Sequence, residues 1–326
     1  MKRFFSRGWV KFILVMFIFT AVTSPIVVLF GPFDNLKRTV VGAIMRSRHP
    51  QYITWLFNQD EINMILGTVG TVRSQDLFKF KAREDTTLKL RKIESTRYVG
   101  YVLEIPDPRR VKVATAKNIQ EKGETVSNIA KDNDAVAAIN AGGFHDPNGT
   151  GTGRLPYGFI MQDGNYVIGK DVGPDEAVDF VGFTKQGNLI AGTYTKMELS
   201  DMDAVEGITF GPPLIVDGKK MITDGDGGWG IGPRTAIGQK KDGTVIFVVI
   251  DGRQPGYSTG ATLRDVQDVL YEEGAYIAAN LDGGSSTTLY YNGKVVNKPA
   301  DLLGERMIPT AFIVAVSYTH LTLPTN

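Results

Sequence analysis

The chain has no cysteine among its 326 residues. Disulfides, thiolate metal sites and cysteine nucleophiles are therefore excluded, and oxygen and nitrogen groups are left to carry any chemistry. Histidine is nearly as scarce, with three in all. His49 falls in a basic N-terminal segment and His320 in the last ten residues, so His145 is the one imidazole inside the main folded region, where a lone loop histidine is usually a surface residue. Net charge is lacking as well: 36 Lys and Arg against 35 Asp and Glu leave +1. Such a balance gives no reason to expect nucleic acid or another strongly charged polymer as a partner. The 42% hydrophobic content is ordinary for a globular protein, and this length holds one large domain or two smaller ones.

Charge is missing altogether from Phe12 to Phe30, directly after Lys2, Arg3, Arg7 and Lys11. A run of about 20 apolar residues matches the ~30 Å hydrocarbon core of a bilayer, and the basic flank stays on the cytoplasmic side. An uncleaved anchor with the rest of the chain outside the cytoplasm is expected, because no small-x-small cleavage site precedes a clear mature start. A secreted form released by signal cleavage is the alternative. The expected organisation is a cytoplasmic tip and anchor over residues 1–30, a helical stalk and linker over 31–92, a main domain over 93–316, and a non-native tail, SYTHLTLPTN, over 317–326. Within the stalk, Val40, Val41, Ile44 and Met45 recur at helical spacing and a second short helix is expected from Asp60 to Leu66, whereas Thr68 to Lys92 has no period.

The stretch from Thr244 to Thr288 organises the rest. Val245 to Ile250 is an apolar, β-branched run too short for a helix, Tyr276 to Leu281 is a second, and Leu263, Val266, Val269 and Leu270 repeat between them at helical spacing. Thr262 and Asp265 are placed as a capping box and Gly274 as a stop. This pattern predicts a strand–helix–strand unit whose two strands are parallel, though not necessarily adjacent. Elsewhere Tyr98 to Ile105, Arg110 to Ala116, Ala135 to Ile139 and Thr310 to Val316 read as strands, and Thr125 caps a short helix through Lys131. Asp163-Gly164, Asp217-Gly218, Asp242-Gly243 and Asn292-Gly293 are hairpin turns. The expected class is thus mixed α/β (α+β): a parallel unit combined with antiparallel hairpins, preceded by one transmembrane helix.

Both strands of the organising unit end in an acid and a glycine, Asp251-Gly252 and Asp282-Gly283. Asp-Gly after a strand is also ordinary turn chemistry. The small residues after Asp282, Gly-Gly-Ser-Ser-Thr-Thr, go further and let backbone N–H groups and hydroxyls approach a ligand closely. Asn140 ends a strand that likewise follows a helix and is expected at the same edge. Arg234, after the Gly-rich run Asp224–Gly230 with its Trp229, is a fixed guanidinium suited to phosphate or carboxylate. The loop from His145 to Gly153 contains an Asp-Asn-Gly pattern that can bind calcium through oxygen ligands but lacks the spacing of an EF-hand, so a structural calcium stays unassigned.

Taken together, Pro233-Arg234-Thr235-Ala236-Ile237-Gly238, Asp251-Gly252-Arg253, Leu281-Asp282-Gly283-Gly284 with Ser286-Thr287, and Glu305-Arg306 with Pro309-Thr310-Ala311 resemble the phosphodiester glycosidase domain family. The resemblance spans about Tyr98 to Val316 and looks closest to bacterial, exopolysaccharide-related members. It departs from the family pattern in Asn140-Ala141-Gly142-Gly143-Phe144-His145, which has an extra residue and a histidine where a second aromatic is common, and in Ser285, where a third glycine is frequent. What the resemblance implies is hydrolysis of a sugar 1-phosphodiester at the anomeric carbon in cell-envelope or exopolysaccharide metabolism, with no required cofactor or metal. Glycosidic cleavage ordinarily uses paired carboxyls, making Asp282 and Asp251 the chemical candidates and Glu305 the reserve. The expected substrate and phosphate contacts are Arg234, Thr235, Arg253, Asn140, Gly283, Gly284, Ser286, Thr287, Arg306 and His145. A non-catalytic polysaccharide-binding module and a phosphoesterase cleaving the P–O bond are the rival readings.

Removing about the first 30 residues, the span of a membrane helix and its flank, is expected to release a soluble, folded domain. The check is membrane fractionation of full-length and shortened chains; full-length protein that is uncleaved and soluble would refute the anchor.

Overall fold

The computed structural model describes residues 7–45, 51–58, 61, 62, 65, 73, 77–80, 83–146, 151–169 and 172–316. Lys2, Arg3, Arg46, Arg48, His49, His320, most of the expected Asp60–Leu66 helix, residues 147–150 of the Gly-rich loop and the SYTHLTLPTN segment lie outside these residues. The chain divides into two units, Met1–Val69 and Gly70–Asn326.

In the first unit, α1 (Arg7–Phe30) contains a stretch, Gly8–Phe30, long and apolar enough to cross a membrane and almost wholly exposed. Pro25 removes one ladder N–H inside it. The residues expected as a stalk form a small helical cluster. α2 (Asp34–Met45) and α3 (Gln51–Thr54) bury Val41 and Ile53 with Leu29 and Ile62, and Arg38 Nε donates to the Ile65 carbonyl at 3.1 Å.

In the second unit three sheets share one core. The largest runs in the order β1 (Lys89–Glu94), β2 (Val99–Ile105), β15 (Val245–Ile250), β14 (Arg234–Lys240), β16 (Ala275–Asn280), β12 (Pro213–Val216), β13 (Lys219–Lys220). A second has the order β10 (Leu189–Tyr194), β9 (Val178–Thr184), β11 (Ala204–Thr209), β7 (Ile160–Gln162), β8 (Asn165–Ile168). The third has the order β18 (Lys294–Val295), β17 (Leu289–Tyr291), β4 (Ala135–Asn140), β19 (Thr310–Ala315), β3 (Val111–Thr115). β5 (Phe144–His145) and β6 (Leu155–Pro156) form a two-stranded ribbon. Phe247, Ile237 and Ile277 from the first sheet, Phe183 and Ile208 from the second and Phe312 and Ile139 from the third meet in the common core. Each such side chain is worth roughly 1.5–3 kcal/mol of apolar burial. One helix covers the outer face of each sheet: α6 (Leu263–Glu272) the first, α5 (Lys196–Asp201) the second and α4 (Val126–Asp132) the third.

The expected caps are present. Thr262 and Asp265 form a capping box on α6, with Asp265 accepting from the Thr262 N–H at 2.8 Å, and Thr125 caps α4. The Asp163-Gly164, Asp217-Gly218 and Asn292-Gly293 pairs all have positive φ and close two-residue hairpins.

The strands joined by α6, β15 and β16, run in the same direction as the crossover requires, but they form no parallel ladder: every ladder in the described sheets is antiparallel. β15 and β16, joined by α6, do not pair with each other, because β14 lies between them and pairs antiparallel with both. A continuous apolar run reports burial on both faces. Here that burial comes from the core on one side and α6 on the other, and it says nothing of the neighbouring strand's direction. The inserted β14 also begins where β15 and β16 end, with Arg234 opposite Ile250 and Ala236 opposite Asn280. The stretch expected as a linker differs too, since Lys89–Glu94 is an edge strand and Phe78 packs on Tyr276 with ring centroids 5.4 Å apart. An edge strand in which only Leu90 and Ile93 are half-buried carries no apolar run to detect.

Gln239, fully buried on β14, ties the first sheet to the second: its Oε1 accepts from Leu189 N at 2.8 Å and its Nε2 donates to the Gly187 and Gly243 carbonyls at 2.7 and 3.0 Å. Gln239→Leu keeps the volume but strands three backbone groups. It is expected to cost about 2–4 kcal/mol, read from the midpoint of urea denaturation at unchanged slope.

Candidate active site

The site forms where β4, β15 and β16 end and β14 begins. Asn140, at the end of β4, is buried and uses its carboxamide across two sheets: Nδ2 donates to the Asp282 carbonyl, while Oδ1 accepts from the Thr235 hydroxyl at 2.8 Å and from Thr288 N at 3.1 Å. Backbone bonds complete the junction, from Asp282 N to the Ala141 carbonyl at 3.0 Å and from Leu281 N to the Thr235 carbonyl at 2.9 Å. Asn140 and Thr235, expected as substrate contacts, are thus committed to holding the strand ends together.

Asp282 sits half-buried at this junction. Burial pushes its carboxyl from the ordinary 3.8 up to about 6, against the opposing pull of the Ser286 hydroxyl, the Arg306 charge, the Gly283 N–H and the Arg253 charge. The Tyr157 hydroxyl is raised by burial and by the charge of Asp282. Tyr157 stacks edge-on against His145 at 4.3 Å, with the imidazole exposed. Tyr157 was not singled out in the sequence, because nothing in Leu155-Pro156-Tyr157-Gly158 separates it from a turn aromatic.

Arg234 is buried with its Nε donating to the Ala261 carbonyl at 3.1 Å and its Nη2 to the Trp229 and Gly230 carbonyls at 2.9 and 2.5 Å. Its guanidinium carbon lies 5.8 Å from the centre of the Trp229 ring. Burial and the neighbouring Arg253 lower its pKa to about 10, so it remains cationic at neutral pH. Among the described residues neither Arg234 nor the exposed Arg253 has an ion-pair partner. The two guanidiniums are therefore held in each other's field, and Arg234 also lies in the field of the Asp226 and Asp265 carboxylates. The glycines allow this closeness. Gly284 has φ +62° and a Cβ there would lie 3.2 Å from Arg253 Nη2, while at Gly260, φ +115°, a Cβ would lie 2.5 Å from the Gly232 carbonyl carbon.

The other two candidate acids are engaged elsewhere. Asp251 is buried, and its carboxylate accepts from Asn297 Nδ2 at 2.9 Å, Lys298 N at 3.0 Å and the Tyr257 hydroxyl at 3.0 Å. Burial raises its pKa despite these bonds. Asn297 relays the contact to the Thr287 carbonyl at 3.1 Å, so Asp251 braces the Gly283–Thr287 loop from below. Asn297 gave no sequence signal, since it follows a hairpin as any turn residue does. Both Glu305 oxygens accept from Ser127, one from its N–H at 2.9 Å and the other from its hydroxyl, at the first turn of α4. Arg306 pairs with Asp146 at 3.0 Å and lies 5.0 Å from the Phe144 ring. Asp146 also accepts from Gly151 N at 3.0 Å, so the acid of the calcium candidate is held by a guanidinium and a backbone N–H.

The family model described as phosphodiester glycosidase (NAGPA) matches residues 133–315, over half of the chain, and the chain belongs to that family. The SPbeta prophage-derived uncharacterized protein YomE of Bacillus subtilis (strain 168) is 32% identical over 197 residues, 58% of this chain and 29% of that protein. The N-acetylglucosamine-1-phosphodiester alpha-N-acetylglucosaminidase of Bos taurus is 24% identical over 203 residues, 56% of this chain and 36% of that protein. The chain thus spans about a third of the length of these relatives. In structure, the zebrafish N-acetylglucosamine-1-phosphodiester alpha-N-acetylglucosaminidase catalytic domain, auto-inhibited by its pro-peptide, superposes with a TM-score of 0.61 at 24% identity over 76% of this chain and 90% of that one, a likeness of fold.

The raised pKa of Asp282 makes a prediction about stability. A carboxyl that holds its proton more tightly when folded costs no stability below the ordinary 3.8 and the most above about 6. Asp282→Asn removes that cost. The variant is expected to be more stable than the parent by up to about 3 kcal/mol at pH 7.5, a gain that vanishes near pH 4. Paired thermal melts across this range test it, and equal stability at pH 7.5 would contradict the burial of this charge.

Proposed function

We propose that the domain hydrolyses a sugar 1-phosphodiester at the glycosidic C–O bond, with Asp282 as its catalytic carboxylate. The observation that carries this reading is the Asp282 carboxylate in the field of Arg253, which in turn lies in the field of the buried Arg234; neither guanidinium has an ion-pair partner of its own among the described residues. An anion accommodated between them relieves their repulsion, and a phosphate offers oxygens to both. As the C1–O bond breaks, its electron pair passes to the phosphate, where the same cations stabilise the developing charge. A phosphate needs little protonation to leave, so one carboxylate can suffice where a poor leaving group would require two.

In this reading Asp282 either attacks the anomeric carbon or takes the proton of the attacking water; Asp251 and Glu305 act as supports. Tyr157, His145 and Trp229 line the sugar side. The reaction uses no cofactor or metal. The curated names of the relatives suggest N-acetylglucosamine as the first sugar to try. Membrane anchoring through α1 and a role in cell-envelope or exopolysaccharide metabolism belong to the same proposal, supported by the apolar length of Gly8–Phe30.

The test is a panel of sugar 1-phosphodiesters, beginning with N-acetylglucosamine, in ¹⁸O-labelled water. Label in the released sugar is expected, whereas label in the phosphate would indicate P–O cleavage and no turnover of any member would leave only a binding module. Asp282→Asn should lower kcat by about a thousandfold or more, and wild-type activity should fall about tenfold per unit below pH 6 as the carboxylate protonates. Arg253→Gln is expected chiefly to raise KM, because that side chain is exposed and bears no structural load. Arg234→Lys, by contrast, also loosens the Trp229–Gly230 loop.

A further inference from the structure

The turn Asp301–Gly304 holds two adjacent leucines in water: Leu302 is 102% and Leu303 95% exposed. Isolated surface leucines need no explanation. This pair differs because the turn is built and pinned. Gly304 N donates to the Asp301 carbonyl at 3.1 Å and Leu303 N to the Asp301 carboxylate at 3.0 Å. On one side Lys298 N is bonded to Asp251 and its ammonium lies 3.9 Å from the centre of the Tyr257 ring; on the other Glu305 is bonded to Ser127 and Arg306 to Asp146. Arg306 in turn acts on the charge of Asp282, which ties the turn to the site. Ile231, 53% exposed, adjoins the Gly230 carbonyl that receives Arg234. The exposed leucines therefore sit a few residues before Arg306, which with Arg253 acts on the Asp282 carboxylate, and a few after Lys298, which is held on Asp251. An anionic head joined to an apolar chain matches that combination, and Gly8–Phe30 of the same chain has the length and composition to hold the protein at a bilayer.

We infer that the alcohol beyond the phosphate is a lipid alcohol. The substrate is then a membrane-borne sugar phosphate, in which one phosphate joins the anomeric carbon to a long apolar chain, and the Leu302–Leu303 turn takes that chain at the bilayer surface. The inference rests on the glycosidase reading. Water oxygen bonds to C1 as the C1–O bond breaks; the electron pair leaves with the lipid phosphate, one water proton stays on the new sugar hydroxyl and the other passes to solvent. Free sugar and a lipid phosphate monoester result.

The experiment uses the full chain in phosphatidylcholine vesicles and the best sugar from the panel above, presented as its 1-phosphate esterified either to an isoprenoid alcohol or to methanol. The isoprenoid ester is expected to have the higher kcat/KM, and the Leu302→Ser, Leu303→Ser double variant to lose about tenfold or more on it while hydrolysing the methyl ester normally. Equal loss on both esters, no loss on either, or a preference for the methyl ester would overturn the lipid assignment and leave the glycosidase standing. Hydrolysis of neither ester by the parent chain would overturn both.

Discussion

The Asn140 carboxamide is the constraint on which the site depends. Two sheets that share only apolar contacts could slide by fractions of a residue, because dispersion and burial are non-directional. Asn140 removes that freedom by offering donors and acceptors in one plane to Asp282, Thr235 and Thr288, each from a different turn or strand. All of these groups are buried, so an unmet partner would carry its full desolvation cost and the arrangement is strongly preferred over near alternatives. The carbonyl it holds belongs to Asp282 itself. The catalytic candidate is thereby positioned through its own backbone, and its carboxylate stays available.

Around this junction the charges are arranged in opposition. Asp282 bears a burial cost that its neighbours only partly offset, and Arg234 bears another that Arg253 increases. Neither serves folding, for which a paired or apolar group would do better. Perturbed groups of opposite sign gathered at one edge are the mark of a place where charge is expected to change. Asp251 is more deeply buried and its pKa is raised as well, but its carboxylate is taken up by three donors.

The scaffold and the site meet in β14. Its far end carries Gln239, which locks the second sheet, and its first two residues, Arg234 and Thr235, enter the site. Antiparallel pairing on both sides places its start beside the ends of β15 and β16. One strand therefore transmits the register of the core to the geometry around Arg234 and Asp282, and the Gly-rich turns let the neighbouring backbones approach it closely.

The residues alone determined the elements and the cast. Capping at Thr125 and Thr262, the Asp-Gly and Asn-Gly hairpins and the apolar runs are local signals, set by backbone dihedrals and short-range hydrogen bonds. The ordered motifs around Arg234, Asp251 and Asp282 likewise identified the family. The insertion of β14 between β15 and β16, the antiparallel ladders it makes with both, and the separation of Asp282 from the braced Asp251 and the helix-bound Glu305 were decided only by the tertiary structure. The reason is physical. An acid's role depends on which donors surround it and how much water remains, and those donors, Asn297, Tyr257 and Ser127, come from positions whose sequence surroundings are those of ordinary turns and helix ends. Tyr157 shows the same limit, since its hydroxyl enters the field of Asp282 only after two sheets have closed around a common core.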